Sequence, residues 1–275
     1  MQLALISDIH GNDVAFGEVT AALARVGCDG AVCLGDVGQG GPQPQETLNR
    51  LRGLECPVVM GNSDAFLLEV PDDSPEPVTE RQLAVREWSL GKLDADDLDF
   101  IRSFSPTVEL ALDGEARLVA FHGSPRSYDD VLLPSSEGPA LEPFRGTGAA
   151  LLAGGHTHTQ WARMVAGALF VNPGSVGLAY DRHQPEDDLK LTPVAEYALL
   201  TAGERGISVE FRRVPYSLEE LIEVTRASTS SASIRTWRAS RTRPSWRWPR
   251  RPDRSPSRPR RPSDRRGRPA AEGRF

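Results

Sequence analysis

Seven polar residues stand where short apolar runs end, and their types suit metal binding. Asp8 and His10 follow Leu3–Ile6, two residues apart, so they point the same way while the chain stays extended. Asp36 follows the run 30–34 and a glycine, and Asn62 follows Pro57–Met60 and a glycine. His122 closes Leu118–Phe121, and His156 and His158 follow Ala149–Ala153 and two glycines. Taken singly, each has an ordinary reading: an Asp after Gly is a turn, Gly-Asn is a turn signature, and a lone His is a satisfied core residue. Taken jointly they differ, because four of the chain's five histidines belong to the set. Strand ends on one sheet edge also converge in space. Seven N and O ligands exceed what one ion needs and suit two divalent ions sharing a bridging carboxylate. Two ions roughly 3.5–4 Å apart clamp the attacking and leaving oxygens of an in-line displacement. Imidazole, carboxylate and amide without thiolate favour Mn, Fe, Co, Ni or Zn over Ca or Mg.

The elements that must hold these residues can be read from periodicity. Leu3–Ile6 is a buried strand, and Phe16, Val19, Leu23 and Val26 then fall at helical spacing until Gly27. A strand over 30–34, a helix over 45–52 and a third strand over 57–60 continue a β-α-β-α-β order, which implies parallel strands with crossovers. Helical segments over 79–92 and 95–104 follow, the second opened by Asp94 with Asp97 as its reciprocal acid. The texture then changes to hairpins: 107–112 with 116–121 across Asp113-Gly114, and later 197–200 with 207–211. Residues 124–148 read as loop with a short helix, 149–153 and 169–171 as strands, and Ser217–Glu220 as a capping box for a last helix to about Arg226. Parallel units followed by hairpins predict an α/β fold of two sheets packed face to face with helices outside.

Charge divides the chain. Residues 1–226 hold 17 Lys and Arg against 35 Asp and Glu, whereas residues 227–275 hold 15 Arg against three acids. The first part is an acidic globular body and the second a different kind of polymer. From Arg235 onward there is no Leu, Ile, Val, Met, Lys, Asn, Gln or Tyr, so this basic C-terminal tail is expected to be disordered. Three readings of it stand: nucleic-acid binding through Arg and stacking Trp237, Trp246 and Trp248, a solvated extension, or a frame-shifted end. The abrupt loss of aliphatic residues just after a helix start favours the last. Three cysteines, Cys28, Cys33 and Cys56, imply no disulfide framework, and Cys33 is expected as a buried thiol. With no leader and no span of apolar residues, a cytoplasmic protein without membrane contact is expected.

The ordered motifs Asp8-x-His10, Gly35-Asp36, Gly61-Asn62, His122-Gly123 and Gly155-His156-Thr157-His158 resemble the calcineurin-like metallophosphoesterases, in particular their short bacterial and archaeal phosphodiesterase-type members. Asn172–Val176 followed by Glu196–Leu200 is similar to that subgroup too, so the resemblance covers residues 1–216. It implies a four-layer αββα sandwich of two mixed sheets flanked by helices, as one domain over 1–226. It also implies that Asp8, His10 and His158 hold one metal, that Asn62, His122 and His156 hold the other, and that Asp36 bridges them. The implied activity is hydrolysis of a phosphodiester or phosphomonoester, a small phosphate ester or nucleotide, by a metal-bridging hydroxide. Asp36, Asn62, His122 and Asp64 are then the candidate catalytic residues. Many relatives carry a leaving-group histidine directly after Gly-Asn; here the position is Ser63, which leaves Asp64 as a candidate proton donor, its other reading being a helix-start acid. Asn12 and Asn172 are read as loop pins, Arg126 and Arg182 as solvated arginines whose other reading is pairing with a substrate phosphate, and His183 as exposed. The competing classes are a non-catalytic scaffold on the same fold and a nucleic-acid binder acting through the tail; a homo-oligomer stays open.

Overall fold

The computed structural model describes residues 1–71, 77–113, 116–179, 192–204 and 206–228. The tail from 229 onward lies outside the described residues, as do Arg182 and His183.

Two mixed sheets make the body. In the first, β1 (Gln2–Ile6) pairs in parallel with β2 (Gly30–Cys33). On its other side β1 runs antiparallel to β8 (Val194–Gly203), which pairs with β9 (Gly206–Pro215), giving the order β2-β1-β8-β9. The second sheet has the order β3 (Val108–Ala111), β4 (Arg117–Ala120), β5 (Leu151–Ala153), β7 (Ala168–Pro173), β6 (Gln160–Val165). Strands β4, β5 and β7 are parallel, and β3 and β6 close the two edges antiparallel.

Three apolar clusters account for the layering. Leu3, Leu5, Val32, Ala198 and Leu200 of the first sheet meet Leu118, Ala120, Leu151, Ala153 and Val171 of the second. The inner strands are apolar on both faces because both faces are covered. On the outside of the first sheet, Ala4, Ile6, Cys33, Tyr197 and Leu199 pack under the helices. These are α1 (Asp13–Val26), α2 (Pro44–Arg52), α3 (Asn62–Leu68), α4 (Glu80–Leu90), α5 (Ala95–Arg102) and α6 (Leu218–Ser228). Helix α1 shows why the sequence folds so. Asn12 caps it by accepting the Ala15 N–H, Phe16, Val19 and Leu23 form its buried stripe, and Gly27 ends it in the left-handed region at φ 70°. The outer layer on the second sheet is thinner. There the segment from 124 to 148, with a 3-10 turn over Gly138–Phe144, lays Leu132 and Phe144 on Phe121, Trp161 and Phe170.

Two expectations change. Pro57–Met60 is no strand: it touches β2 through a single parallel bridge, Cys33 to Val58, and the segment after α5 through another, Val59 to Ser105. A proline at its start and the departure of Gly61 into α3 leave too few residues for a ladder. Strand β6 was not expected, because Gln160-Trp-Ala-Arg-Met-Val165 carries only a weak alternation; Trp161 and Val165 are buried while Met164 is 62% exposed. The expected cap at α5 is present, Asp94 and Asp97 exchanging hydrogen bonds of 2.9 and 3.1 Å. Cys33 is buried, and all three cysteines are free thiols.

Candidate metal centre

The parallel strands β1, β2, β4 and β5 deliver their C-terminal ends to one place, and the backbone there is strained. Asp8, His10, Asp36, His156 and His158 all have positive φ, between 49° and 65°. Such a conformation costs a non-glycine residue of order 1–3 kcal/mol and persists only where the surroundings over-determine it. Here they do. Asp8 N–H donates to Gly35 O (2.9 Å), His10 N–H to Asp36 O (2.9 Å) and Gly11 N–H to Val37 O (2.8 Å), lacing the loop after β1 to the loop after β2. From the other side Val176 N–H donates to Ser7 O and Gly177 N–H to Asp8 O, while Gly155 N–H donates to His122 O.

The side chains are aimed by their outer atoms. His10 Nδ1–H donates to Gln39 O (2.9 Å), His122 Nδ1–H to Leu34 O (2.7 Å) and His158 Nδ1–H to Leu178 O (3.1 Å). A backbone carbonyl can only accept, so each of these rings carries its proton on Nδ1 and turns Nε2 inward, the arrangement that orients an imidazole ligand. The inward atoms crowd together. His10 Nε2 lies 3.1 Å from His158 Nε2. Asn62 Oδ1 lies 3.0 Å from both His122 Nε2 and His156 Nδ1. Asp36 Oδ2 sits between the two groups, 3.6 Å from His10 Nε2 and 3.4 Å from His122 Nε2.

Asp8 supplies the observation that tests for a cation. Its Oδ2 accepts from Ser7 Oγ–H (2.6 Å) and His156 N–H (3.1 Å). Its Oδ1 is buried and accepts no hydrogen bond, yet faces His158 Nε2 at 3.2 Å, His10 Nε2 at 3.8 Å and His122 Nε2 at 4.0 Å. A buried anionic oxygen facing three imidazole nitrogens calls for a cation, and carboxylate with imidazole is a donor set that fits a metal ion. Two groups, Asp8 with His10 and His158 and Asp8 with Asp36 and His122, bring their ligand atoms within 4.8 Å of one another.

The electrostatics agree. Burial works to raise the Asp8 carboxyl, but His158 and His122 outweigh it and hold it at about 2. Asp36 is likewise lowered against its burial, by His122 and His10. Burial disfavours charge on His122, yet the Asp36 and Asp8 carboxylates raise it to about 10. Burial, aided by His122, lowers His156 to about 3. The site thus calls for positive charge beside two buried carboxylates, while burial disfavours charge on the His10 and His156 rings.

Residues 1–190 match the model of the calcineurin-like phosphoesterase superfamily domain. The chain belongs to that superfamily. An uncharacterized protein of Methanocaldococcus jannaschii is 24% identical to it over 232 residues, 80% of this chain and 90% of the relative. A metallophosphoesterase from Sphaerobacter thermophilus superposes with a TM-score of 0.63 at 26% identity, over 87% of this chain and 99% of its own. A hypothetical protein of Pyrococcus horikoshii superposes with a TM-score of 0.69 at 16% identity, over 85% and 95%, and shares the fold.

Within this calcineurin-like chain the remaining site residues fall into place around the candidate ligands. Asn172 donates to Gly155 O (2.7 Å) and Thr157 Oγ1 (3.0 Å), pinning the loop that carries His156 and His158. Asn12 donates to Gly177 O (3.0 Å). Ser7 and Ser175 complete the site, and neither stands out in the sequence. Ser175 Oγ–H donates to Asp8 O (2.7 Å) and accepts from Leu178 N–H (2.8 Å), whose carbonyl holds His158. Their only sequence signal is adjacency to the ligand motifs. Arg126 is exposed on the loop after His122.

Asp64 is fully buried at the start of α3. Its Oδ2 accepts from Asp36 N–H (2.7 Å) and Gly61 N–H (3.2 Å), and its Oδ1 from Val37 N–H (2.9 Å). Burial and then the charge of Asp36 raise it to about 7. Ser63 Oγ is shut from solvent with no hydrogen-bond partner, while Ser63 N–H donates to Asp36 Oδ1 (2.8 Å).

Proposed function

We propose that the protein is a dinuclear metal-dependent phosphoesterase acting on a small phosphodiester, phosphomonoester or nucleotide. Asp8, His10 and His158 would hold one divalent transition metal ion and Asn62, His122 and His156 a second, with Asp36 shared. The observation that carries this reading is the position of Asp36 Oδ2, within 3.6 Å of a ring nitrogen from each set. When bound, two such ions activate water as a nucleophile at neutral pH and neutralise charge on the phosphate oxygens.

The chain's own residues do the arranging. The Nδ1–H bonds of His10, His122 and His158 fix which nitrogen faces the centre. Ser7 and the His156 N–H hold Asp8 Oδ2, so that Oδ1 alone points inward. Asp64 clamps three backbone N–H groups of the Asp36 and Asn62 loops, which makes it a positioning residue in this reading rather than the donor of a proton to a leaving group. Ser63 contributes its backbone N–H to Asp36, and its hydroxyl is shut away from solvent.

The test is metal analysis of the purified protein together with hydrolysis of a chromogenic phosphodiester. About two metal ions per chain and turnover that a chelator abolishes are expected. A protein that binds no transition metal and hydrolyses no phosphate ester, after incubation with Mn, Fe, Co, Ni and Zn in turn, would refute the proposal.

A further inference from the structure

Strand β9 is the outer strand of the first sheet, and among the described residues no strand pairs with its far side. The peptide groups that face outward can be deduced from β8. Ala202 N–H donates to Met1 O, and the Met1 amino group donates to Ala202 O, so Ala202 faces β1. Glu196 N–H also turns that way, to Ser175 O. Peptide direction alternates along an antiparallel pair. Tyr197, Leu199 and Thr201 therefore face β9 and bond their register partners Arg212, Glu210 and Ser208. The residues between those partners, Ile207, Val209, Phe211 and Arg213, present their N–H and C=O groups to the free side.

Proteins usually blunt such an edge with charged side chains, a bulge, a proline or an inward-pointing charge; β9 uses only charges, Glu210, Arg212 and Arg213, and these are of both signs. The register of β9 on β8 is unbroken over all ten residues, and its proline, Pro215, is the last of them. Phe211, at the middle, is 38% exposed, and Ile207 and Val209 border the core between the sheets. The charges flanking Phe211 are opposite in sign, Glu210 on one side and Arg212 on the other. A second β9 laid antiparallel with Phe211 opposite its own image places Glu210 opposite Arg212 on both sides of the two-fold axis. Parity agrees, because the outward-facing Phe211 then forms a hydrogen-bonded pair. Glu210 and Arg212 occupy the flanking pairs, where side chains approach more closely. Within one chain Arg212 Nη2 already donates to Glu210 Oε2 at 2.9 Å, but both side chains are well exposed and the pair is easily exchanged for its cross-strand equivalent.

We infer that β9 is a self-association edge: two copies pair antiparallel about Phe211 and join their first sheets into one continuous sheet across a two-fold axis. The inference is independent of the chemistry at the metal centre.

The full-length protein is examined by light scattering or sedimentation equilibrium across a wide concentration range. A species of twice the chain mass is expected. Glu210→Arg sets like charges opposite each other twice and should weaken association by about ten-fold or more. The double change Glu210→Arg with Arg212→Glu restores opposite charges and should restore the dimer. Phe211→Pro removes an outward N–H that bonds nothing among the described residues, so it should abolish the dimer while metal content stays at the wild-type level. A protein that is monomeric at every concentration would overturn the inference. So would a dimer that neither Glu210→Arg nor Phe211→Pro weakens.

Discussion

Asp36 Oδ1 is taken by Ser63 N–H, and Oδ2 lies between imidazoles of both proposed ligand sets. Removing its charge acts on both sets at once, whereas His10 belongs to one. Asp36→Asn should therefore deplete both ions and lower turnover by more than the roughly 10–100-fold typical of changes around a metal ligand. His10→Ala should leave about half the metal. Equal metal loss in the two variants would remove Asp36 from its shared position. Asp64 calls for a different expectation, because it faces backbone rather than substrate. Asparagine keeps the shape of Asp64 but sets an N–H against one of the three donors, a buried mismatch costing about 1–3 kcal/mol. Asp64→Asn should lower the melting temperature and reduce hydrolysis of aryl and alkyl esters by the same factor. General acids contribute about 10²–10⁴-fold, most of it where the leaving group is a poor anion. A selective loss on alkyl esters would therefore mark Asp64 as a proton donor after all.

Between residue and sheet, the working unit is the strand-end loop, and its precision depends on close backbone approach. Gly61 lies against Asp36 so tightly that a Cβ there would overlap both the Asp36 carboxylate and its backbone nitrogen. Gly61→Ala must push the Asp36 and Asn62 loops apart. A destabilisation of about 1–3 kcal/mol, with loss of metal from the set that contains Asn62, is expected by thermal melting and metal analysis; wild-type values for both would mean that the loops are more compliant than the packing implies. The candidate ligands could be picked out in the sequence because histidine and aspartate at the ends of apolar runs are rare enough to count. What aims them was not. Leu34, Gln39 and Leu178 act through backbone carbonyls, which every residue type possesses, so their identity carries no signal. The 57–60 segment misled for a related reason: Pro-Val-Val-Met has strand composition, but pairing depends on neighbours far along the chain, and they supply only two bridges. Conversely β6 forms on weak local pattern because β7 offers it a full antiparallel register.

For the whole molecule, the open matter is the relation between an acidic body and its arginine-rich end. No helix among the described residues is long and apolar enough to cross a membrane. All seven candidate ligands lie between residues 8 and 158, and the strands that position them are complete by Pro215. Helix α6 then packs Leu221 into the core outside the first sheet while leaving Leu218 and Ile222 about 40% exposed. These two side chains are where a following segment could gain apolar contact, and residues beyond 234 contain no aliphatic residue larger than alanine or proline to supply it. A chain ended at Ser228 should therefore melt at the full-length temperature, bind the same metal per chain and hydrolyse the same esters at the same rate. It should differ in charge alone, losing an excess of positive residues and, with it, any salt-sensitive retention on nucleic acid. The comparison separates the readings of the end. A fall in melting temperature on truncation means that Trp237, Trp246 or Trp248 packs on the body. Salt-sensitive nucleic-acid binding that disappears with unchanged stability means a solvated binding arm. No change in either property leaves the end without a folded or nucleic-acid role, as a frame-shifted sequence would be.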